Sequence, residues 1–435
     1  MKKYLYAHKH RTMLYCFLLL PLSLYANNTH KALVAVPIID LVGSPIQDLI
    51  PNVSEPKAYK ALPLCGGNTN KFLACPRMHQ LLFNEVVTII EVKNSEALIH
   101  IPNFFYMVNG KATPQHAYWT PKKNLIMFKE LVKQGVDLEK IPKSLSFRKK
   151  TIPVDHNTVT LIMPYTDTTL PYTFSAGTRF IKVQDLSTKE DLSAEALAKE
   201  EANNSPDITR VYAFDKKSMS HKELAIPTSL LVSNENKEPK EKIKQFVDLL
   251  KQWAHQKNGF IPYVWGGCSF TKTNNGEYEE IQQKTSTSVT SYFTLSDDQE
   301  TPKSGMDCSG LIGRAAQISG IPYFFKNTAT VTSHLKPLHK NEVLEEGDII
   351  WIPGHVMIVS NIEKNMLTEA RARLNNCHGK IQEIALNKIF KGINSYQELI
   401  KAFHTKQPLY RLDLAGNVFE TITTMKLLKM DSVWQ

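Results

Sequence analysis

Cys308 stands where a glycine-punctuated segment, Ser304-Gly305-Met306-Asp307-Cys308-Ser309-Gly310, runs into an apolar stripe of Leu311, Ile312, Ala315 and Ala316 that stops at Gly320. That spacing predicts a helix beginning at the cysteine. The first turn of a helix carries backbone N–H groups without intrahelical partners and the positive end of the macrodipole. A thiol there ionises more easily than one in a helix interior, and a thiolate is the attacking species. Most lone cysteines are merely small buried apolar residues, so the placement needs a companion. One follows in Glu346-Gly347-Asp348-Ile349-Ile350-Trp351-Ile352-Pro353-Gly354-His355-Val356-Met357-Ile358-Val359, which reads as strand, Pro-Gly turn and strand. His355 then sits at the mouth of a sheet. Nucleophile on a helix start and imidazole on a neighbouring strand is what a cysteine hydrolase needs, because the ring must reach the sulfur and later protonate the leaving amine.

Ahead of both lies Ile261-Pro262-Tyr263-Val264-Trp265-Gly266-Gly267. Tyr-x-Trp-Gly-Gly, then Asp-Cys-Ser-Gly-Leu, then Gly-Asp with a hydrophobic strand and Gly-His-Val, resembles the NlpC/P60 family of cysteine peptidases, whose fold is a reduced papain fold. The resemblance implies Cys308 as nucleophile, His355 as base and a polar residue on the next strand as the group that orients the imidazole. In Met366-Leu367-Thr368-Glu369-Ala370 that residue is Glu369, with Thr368 on the opposite face. The family more often has histidine, asparagine or glutamine there. The same resemblance gives Tyr263 an oxyanion or substrate contact and has Asp307 and Ser309 grip the substrate amine. Their plain alternatives are a helix cap for Asp307 and simple exposure for Ser309. Trp265 and the two glycines read as architecture, a packed ring and close backbone approach.

The N-terminal part extends the likeness. Val34-Ala35-Val36-Pro37 with Asp40-Leu41, Gln80-Leu81-Leu82-Phe83-Asn84-Glu85 and Ala117-Tyr118-Trp119 resemble the first bacterial SH3-like domain of three-domain members. In those, the glutamate and tyrosine hold the substrate's free amino terminus, which implies Glu85 and Tyr118 here. The alternative is a strand-capping Glu85 and a core Tyr118. The implied substrate is a peptidoglycan stem peptide cut at the γ-D-glutamyl-diaminopimelate (or lysine) bond, with a preference for a free N-terminal L-alanine.

The elements that must position these groups set out a modular chain. Residues 1–26 carry Lys2, Lys3, Lys9 and Arg11 before an apolar run ending Leu24-Tyr25-Ala26. They read as a signal peptide cleaved after Ala26, too short to span a bilayer. Cys16 comes too early for a lipoprotein site. The expectation is export to the periplasm or outside, without stable membrane insertion. Residues 27–121 show short strands and turns, and read as a first SH3-like domain. Residues 122–149 read as a helical connector, 150–232 as a second SH3-like domain and 233–241 as a polar linker. The catalytic domain occupies 242–435, opening on a helix from Lys242 to Ala254. An insertion, 268–304, separates Gly267 from Asp307 by 39 residues; a loop of that length is a candidate lid. The fold class is α+β, a papain-like domain behind two small all-β barrels.

Composition agrees with several globular domains: 435 residues, 42% hydrophobic. Of the formal charge of +10, four positives belong to the leader, leaving +6. No nucleic-acid motif or basic stripe accompanies it, so nucleic acid is excluded as a partner and a mild preference for anionic wall polymer remains. Six cysteines less Cys16 leave five, an odd number that keeps one thiol free. Cys65 and Cys75 flank a Gly-Gly-Asn loop and make a possible disulfide in an oxidising compartment. Cys268 is a rival nucleophile without a helix start. Cys377-His378 lacks a second ligand pair at zinc spacing, so neither metal nor cofactor is expected. Two other readings stay open: a wall-binding SH3 protein with weak or no catalysis, and a papain-like acyltransferase.

Overall fold

The computed structural model describes residues 30–49, 77–101, 116–144, 155–184, 207–234, 237–274, 302–322, 327–372, 379–413 and 415–435. The leader, Cys65, Cys75, Cys377 and residues 275–301 of the insertion lie outside them. No helix among the described residues is long and apolar enough to cross a membrane.

Seven antiparallel strands form the first sheet: β1 (Lys31–Val34), β2 (Ile38–Val42), β3 (Arg77–Leu82), β4 (Val86–Lys93), β5 (Glu96–His100), β6 (Ala117–Pro121) and β7 (Leu125–Met127), in the order β3-β2-β6-β5-β4-β1-β7. The run from Gln80 to Val92, which reads as one strand, is two. Asn84 takes φ 67° and turns the chain between β3 and β4, a left-handed conformation that asparagine tolerates. The connector differs from expectation as well. Leu125–Met127 is extended and pairs with β1, and among the connector's described residues only Phe128–Lys133 (α1) is α-helical. An open sheet edge outweighed the lysine-rich helical pattern.

The second sheet runs β8 (Asp155–Leu161), β9 (Arg179–Lys182), β10 (Ile208–Asp215), β11 (Ser220–Pro227) and β12 (Leu231–Asn234), ordered β11-β10-β9-β8-β12. Neither sheet closes into a barrel among the described residues. The connector packs between them: Ile126, Phe128, Leu131 and Ile141 share one core with Phe83, with Phe180 and Val211 of the second sheet and with Phe174 of a separate two-stranded ribbon. The rings of Phe83 and Phe174 lie 5.0 Å apart.

Helix α2 (Pro239–Ala254) starts inside the expected linker. A proline in a helix interior would cost a backbone hydrogen bond, but Pro239 occupies the first helical position, where no such bond is made. The Glu241 carboxylate accepts from Glu238 N–H at 3.0 Å and completes the helix start. Its buried face is Phe246, Val247, Leu249, Leu250 and Trp253, each contributing roughly 1.5–3 kcal/mol of burial. Trp253 Nε1 also donates to Ile162 O of the second sheet at 3.0 Å.

Next come the short strand β13 (Cys268–Ser269), its partner β14 (Gly305–Met306) and helix α3 (Cys308–Ile318). The third sheet is built from β15 (Lys336–Pro337), β16 (Ile349–Ile352), β17 (His355–Asn361), β18 (Met366–Arg371), β19 (Lys380–Ala385) and, after helix α4 (Tyr396–His404) and the hairpin β20 (Leu409–Leu412) and β21 (Val418–Ile422), β22 (Lys426–Lys429). Its order is β15-β22-β16-β17-β18-β19. One face, with Ile349, Val356, Ile358, Ala370 and Leu428, packs against α2 and α3. The other, with Ile350, Ile352, Met357 and Leu367, packs against α4 and Leu409 of the hairpin.

Candidate active site

Asp307 decides where α3 begins. Its Oδ1 accepts from Gly310 N–H at 2.5 Å and from Ser309 Oγ at 2.9 Å, and its Oδ2 accepts from Gly266 N–H at 2.9 Å. One buried carboxylate thus caps the helix and ties it to the Tyr-x-Trp-Gly-Gly loop. The glycines make this possible: a Cβ on Gly310 would strike the carbonyl of Gly267. Asp307 and Ser309, expected to hold a substrate amine, therefore satisfy each other and the backbone. Cys308 is the first helical residue and is 7% exposed.

The Gly-Asp pair before the hairpin has an architectural role. Asp348 is buried, accepts from Met430 N–H at 2.9 Å and pairs with Lys429 Nζ at 2.7 Å, which fixes β22 beside β16. The β16–β17 register then pairs Ile352 with His355. By strand alternation, His355 shares its face with Ile352 and Met357, at the end of the strand next to the Gly354 turn. It is 7% exposed.

His355 Nε2 and Glu369 Oε2 lie 2.7 Å apart. The carboxylate is fully buried, and its other oxygen accepts from Gln382 Nε2 at 2.9 Å. Two guanidinium groups surround it: Arg371 Nη1 stands 3.9 Å from Oε1 and Arg411 Nη2 3.8 Å from Oε2. Burial works to raise the Glu369 carboxyl, but the hydrogen bond and charge of His355 and the charges of Arg411 and Arg371 hold it down at about 2. Burial pushes the His355 imidazole below its ordinary value, and Arg411 and Arg371 push the same way against Glu369. The ring is neutral at neutral pH, with Nε2 engaged by the carboxylate and Nδ1 as the nitrogen for proton exchange. Helix α3 packs on both β17 and β18, so the strands bearing the pair are in contact with the helix bearing the thiol.

The remaining expected residues fall elsewhere. Tyr263 is buried in the core beside α3, bridged to Met306, with its N–H on Gly379 O at 2.8 Å. Trp265 is not a packed ring; it is 37% exposed, and its carbonyl accepts from Arg77 Nη1 at 3.2 Å. Glu85 reaches α3 itself, pairing with Arg314 at 3.1 Å. Tyr118 belongs to the core of the first sheet and is fully buried, so its ring is not presented to a substrate. The rival Cys268 is 2% exposed, its Sγ 3.0 Å from Gln80 O, 3.4 Å from His79 Nδ1 and 3.4 Å from Arg314 Nη2. It cements β3 to the insertion's root, where Gln80 also donates to Lys303 O and accepts from Ser269 Oγ, both at 2.7 Å. No group of three His, Cys, Asp or Glu side chains among the described residues is placed to hold a metal ion.

Sequence reasoning missed Arg371, Arg411 and Gln382. Arg371 had a signal, since it lies two residues beyond Glu369 and so on the same strand face. Arg411 had none, because only the tertiary fold brings its hairpin to the carboxylate.

No family model matches the chain, and none of the curated proteins is similar to it in sequence. Among solved structures, an NlpC/P60 family protein from Bacillus cereus is similar at 14% identity and a TM-score of 0.46, over 82% of this chain and 94% of that one. NlpC2 from Trichomonas vaginalis is similar at 12% identity and a TM-score of 0.27, over 81% and 92%. NlpC1 from the same organism gives 11% and 0.28, over 81% and 87%.

Proposed function

We propose that this chain is an exported cysteine peptidase that hydrolyses peptidoglycan stem peptides, at the γ-D-glutamyl-diaminopimelate or γ-D-glutamyl-lysine bond. The observation that carries the reading is the 2.7 Å contact between His355 and a buried, ionised Glu369, on strands packed against the helix whose first residue is Cys308. Cys308 transfers its proton to His355 Nδ1 as sulfur attacks the amide carbonyl. His355 then gives that proton to the departing amine, and a water deprotonated by the same ring opens the thioester. His355 faces away from α3 but stands at the strand end, so the mechanism requires the thiol to meet the ring past the rim of the sheet and not through it. Backbone N–H of the first turn of α3 stabilises the oxyanion. The choice of bond, the export and the SH3-like character of the two N-terminal sheets come from the sequence motifs. The amino-terminal gate drops out of the proposal, since Tyr118 is buried and Glu85 is paired with Arg314.

The test is to incubate the purified protein with L-Ala-γ-D-Glu-diaminopimelate and its lysine counterpart and to follow products by mass spectrometry. Cleavage after the γ-glutamyl carbonyl, lost in Cys308→Ala, supports the proposal. Folded protein that leaves both peptides intact would refute it, and a mass gain instead of cleavage would indicate acyl transfer.

A further inference from the structure

A fully buried carboxylate is costly to keep ionised unless countercharge and hydrogen bonds surround it. Glu369 receives one hydrogen bond from His355 and one from Gln382, and its countercharge comes partly from outside the three motifs. Arg411 is buried on β20 beside Leu409 and Leu412, at 8% exposure. Its Nη2 faces Oε2, the oxygen that His355 uses. Its Nη1 is 3.3 Å from Oε2 of Glu420, its cross-strand partner on β21. The ring of Phe419 covers the guanidinium at 5.4 Å and that of Arg371 at 5.7 Å, and Arg371 Nη2 donates to Leu412 O at 2.6 Å. The hairpin is thus fastened over the histidine-carboxylate pair by its own side chains.

We infer that Arg411 is a positioning residue of the active site: it holds the Glu369 carboxylate, and through it the His355 ring, in the orientation from which the imidazole exchanges a proton with Cys308. The inference rests on the cysteine-peptidase reading and deepens it. The charged groups around the imidazole are Glu369 and Arg371 from β18 and Arg411 from β20, with Glu420 of β21 acting through Arg411 and the neutral Gln382 on β19; the Cys308 thiol from α3 joins them in the proposed mechanism. Arg411 balances Glu369 without donating to it at hydrogen-bond distance. Its removal leaves a buried carboxylate that draws a proton toward the ring. A residue that only stapled the hairpin would alter melting temperature and leave the titration of the ring alone.

The experiment measures the rate at which iodoacetamide alkylates Cys308 from pH 4 to 9, in wild type, His355→Ala, Arg411→Gln, Arg411→Lys and Glu420→Gln, beside kcat and KM on the stem peptide. The expected result is an acid limb raised by about one pH unit in Arg411→Gln, restored in Arg411→Lys, and lowered by a few tenths in the partly exposed Glu420→Gln. Turnover in Arg411→Gln falls about 10–100-fold in kcat with KM little changed. Should Arg411→Gln fail to fold, the opposite displacement in Glu420→Gln decides. Limbs that superimpose on wild type while His355→Ala shifts the profile overturn the inference and spare the peptidase reading. A profile that His355→Ala does not move overturns both.

Discussion

Glu85 Oε1, in the turn between two strands of the first sheet, lies 3.1 Å from Arg314 Nη1 on the helix that begins with Cys308, across 229 residues of sequence. Arg314 is 3% exposed. Its Nε donates to Cys268 O at 2.9 Å, and it also bonds Gln317. The N-terminal sheet is therefore wired into the helix that begins with Cys308, the proposed nucleophile.

Removing one partner of such a pair leaves the other charge buried. Glu85→Gln is expected to destabilise the protein by about 2 kcal/mol, less than a fully buried pair would because Glu85 keeps some contact with solvent. A urea denaturation midpoint indistinguishable from wild type would show that Arg314 is satisfied without it.

Acid should loosen the site from two directions at once. Glu369 is depressed to about 2 in the folded protein, so the stability it contributes is present above its unfolded value and disappears as pH falls toward 2. His355 is also depressed, so its contribution is complete above its unfolded value and declines as pH drops below about 6.5. Both signs make stability rise with pH. Melting temperatures taken between pH 3 and 8 should climb up to about pH 6.5 and then level off, and Glu369→Gln should flatten the lower part of the curve.

Among the described residues Cys268 and Cys308 are both buried thiols, and of these two Cys308 begins a helix. Cys308→Ala should abolish hydrolysis while leaving the melting temperature within a few degrees. Cys268→Ala should retain turnover and lose stability, about 1–2 kcal/mol for the deleted contacts with Gln80, His79 and Arg314. Activity that survives Cys308→Ala and vanishes with Cys268→Ala would reverse the assignment.

Trp265 and Tyr118 should separate by readout. Trp265 is exposed on the loop that Asp307 anchors, so Trp265→Ala should raise KM for stem peptides several-fold with little change in melting temperature. Tyr118 is core, so Tyr118→Phe should leave KM unchanged, for N-blocked and free peptides alike.

The local chemistry of the site was legible because it is written in short-range signals. Asp307 before Cys308 is a helix cap by type and position, the Pro-Gly turn places His355 at a strand start, and two-residue alternation separates Glu369 from Thr368. What escaped depends on contacts between distant segments. Leu125–Met127 is a strand because β1 offers an edge, Trp265 points outward because Asp307 and Arg77 hold its loop by backbone atoms, and Arg411 meets Glu369 only after the last hairpin folds back. Pro239 and Glu241 are a helix-start signal set inside the polar run that reads as a linker.

Gly177, in the turn that precedes β9, has φ +91° and leaves its Cα against the Arg314 side chain, where any Cβ would collide with Cδ. A segment far from Cys308 in sequence thereby gains a hand on the helix that Cys308 begins. Adding a single methyl there should push the Arg314 side chain aside and disturb the helix that begins with Cys308 from a segment remote in sequence.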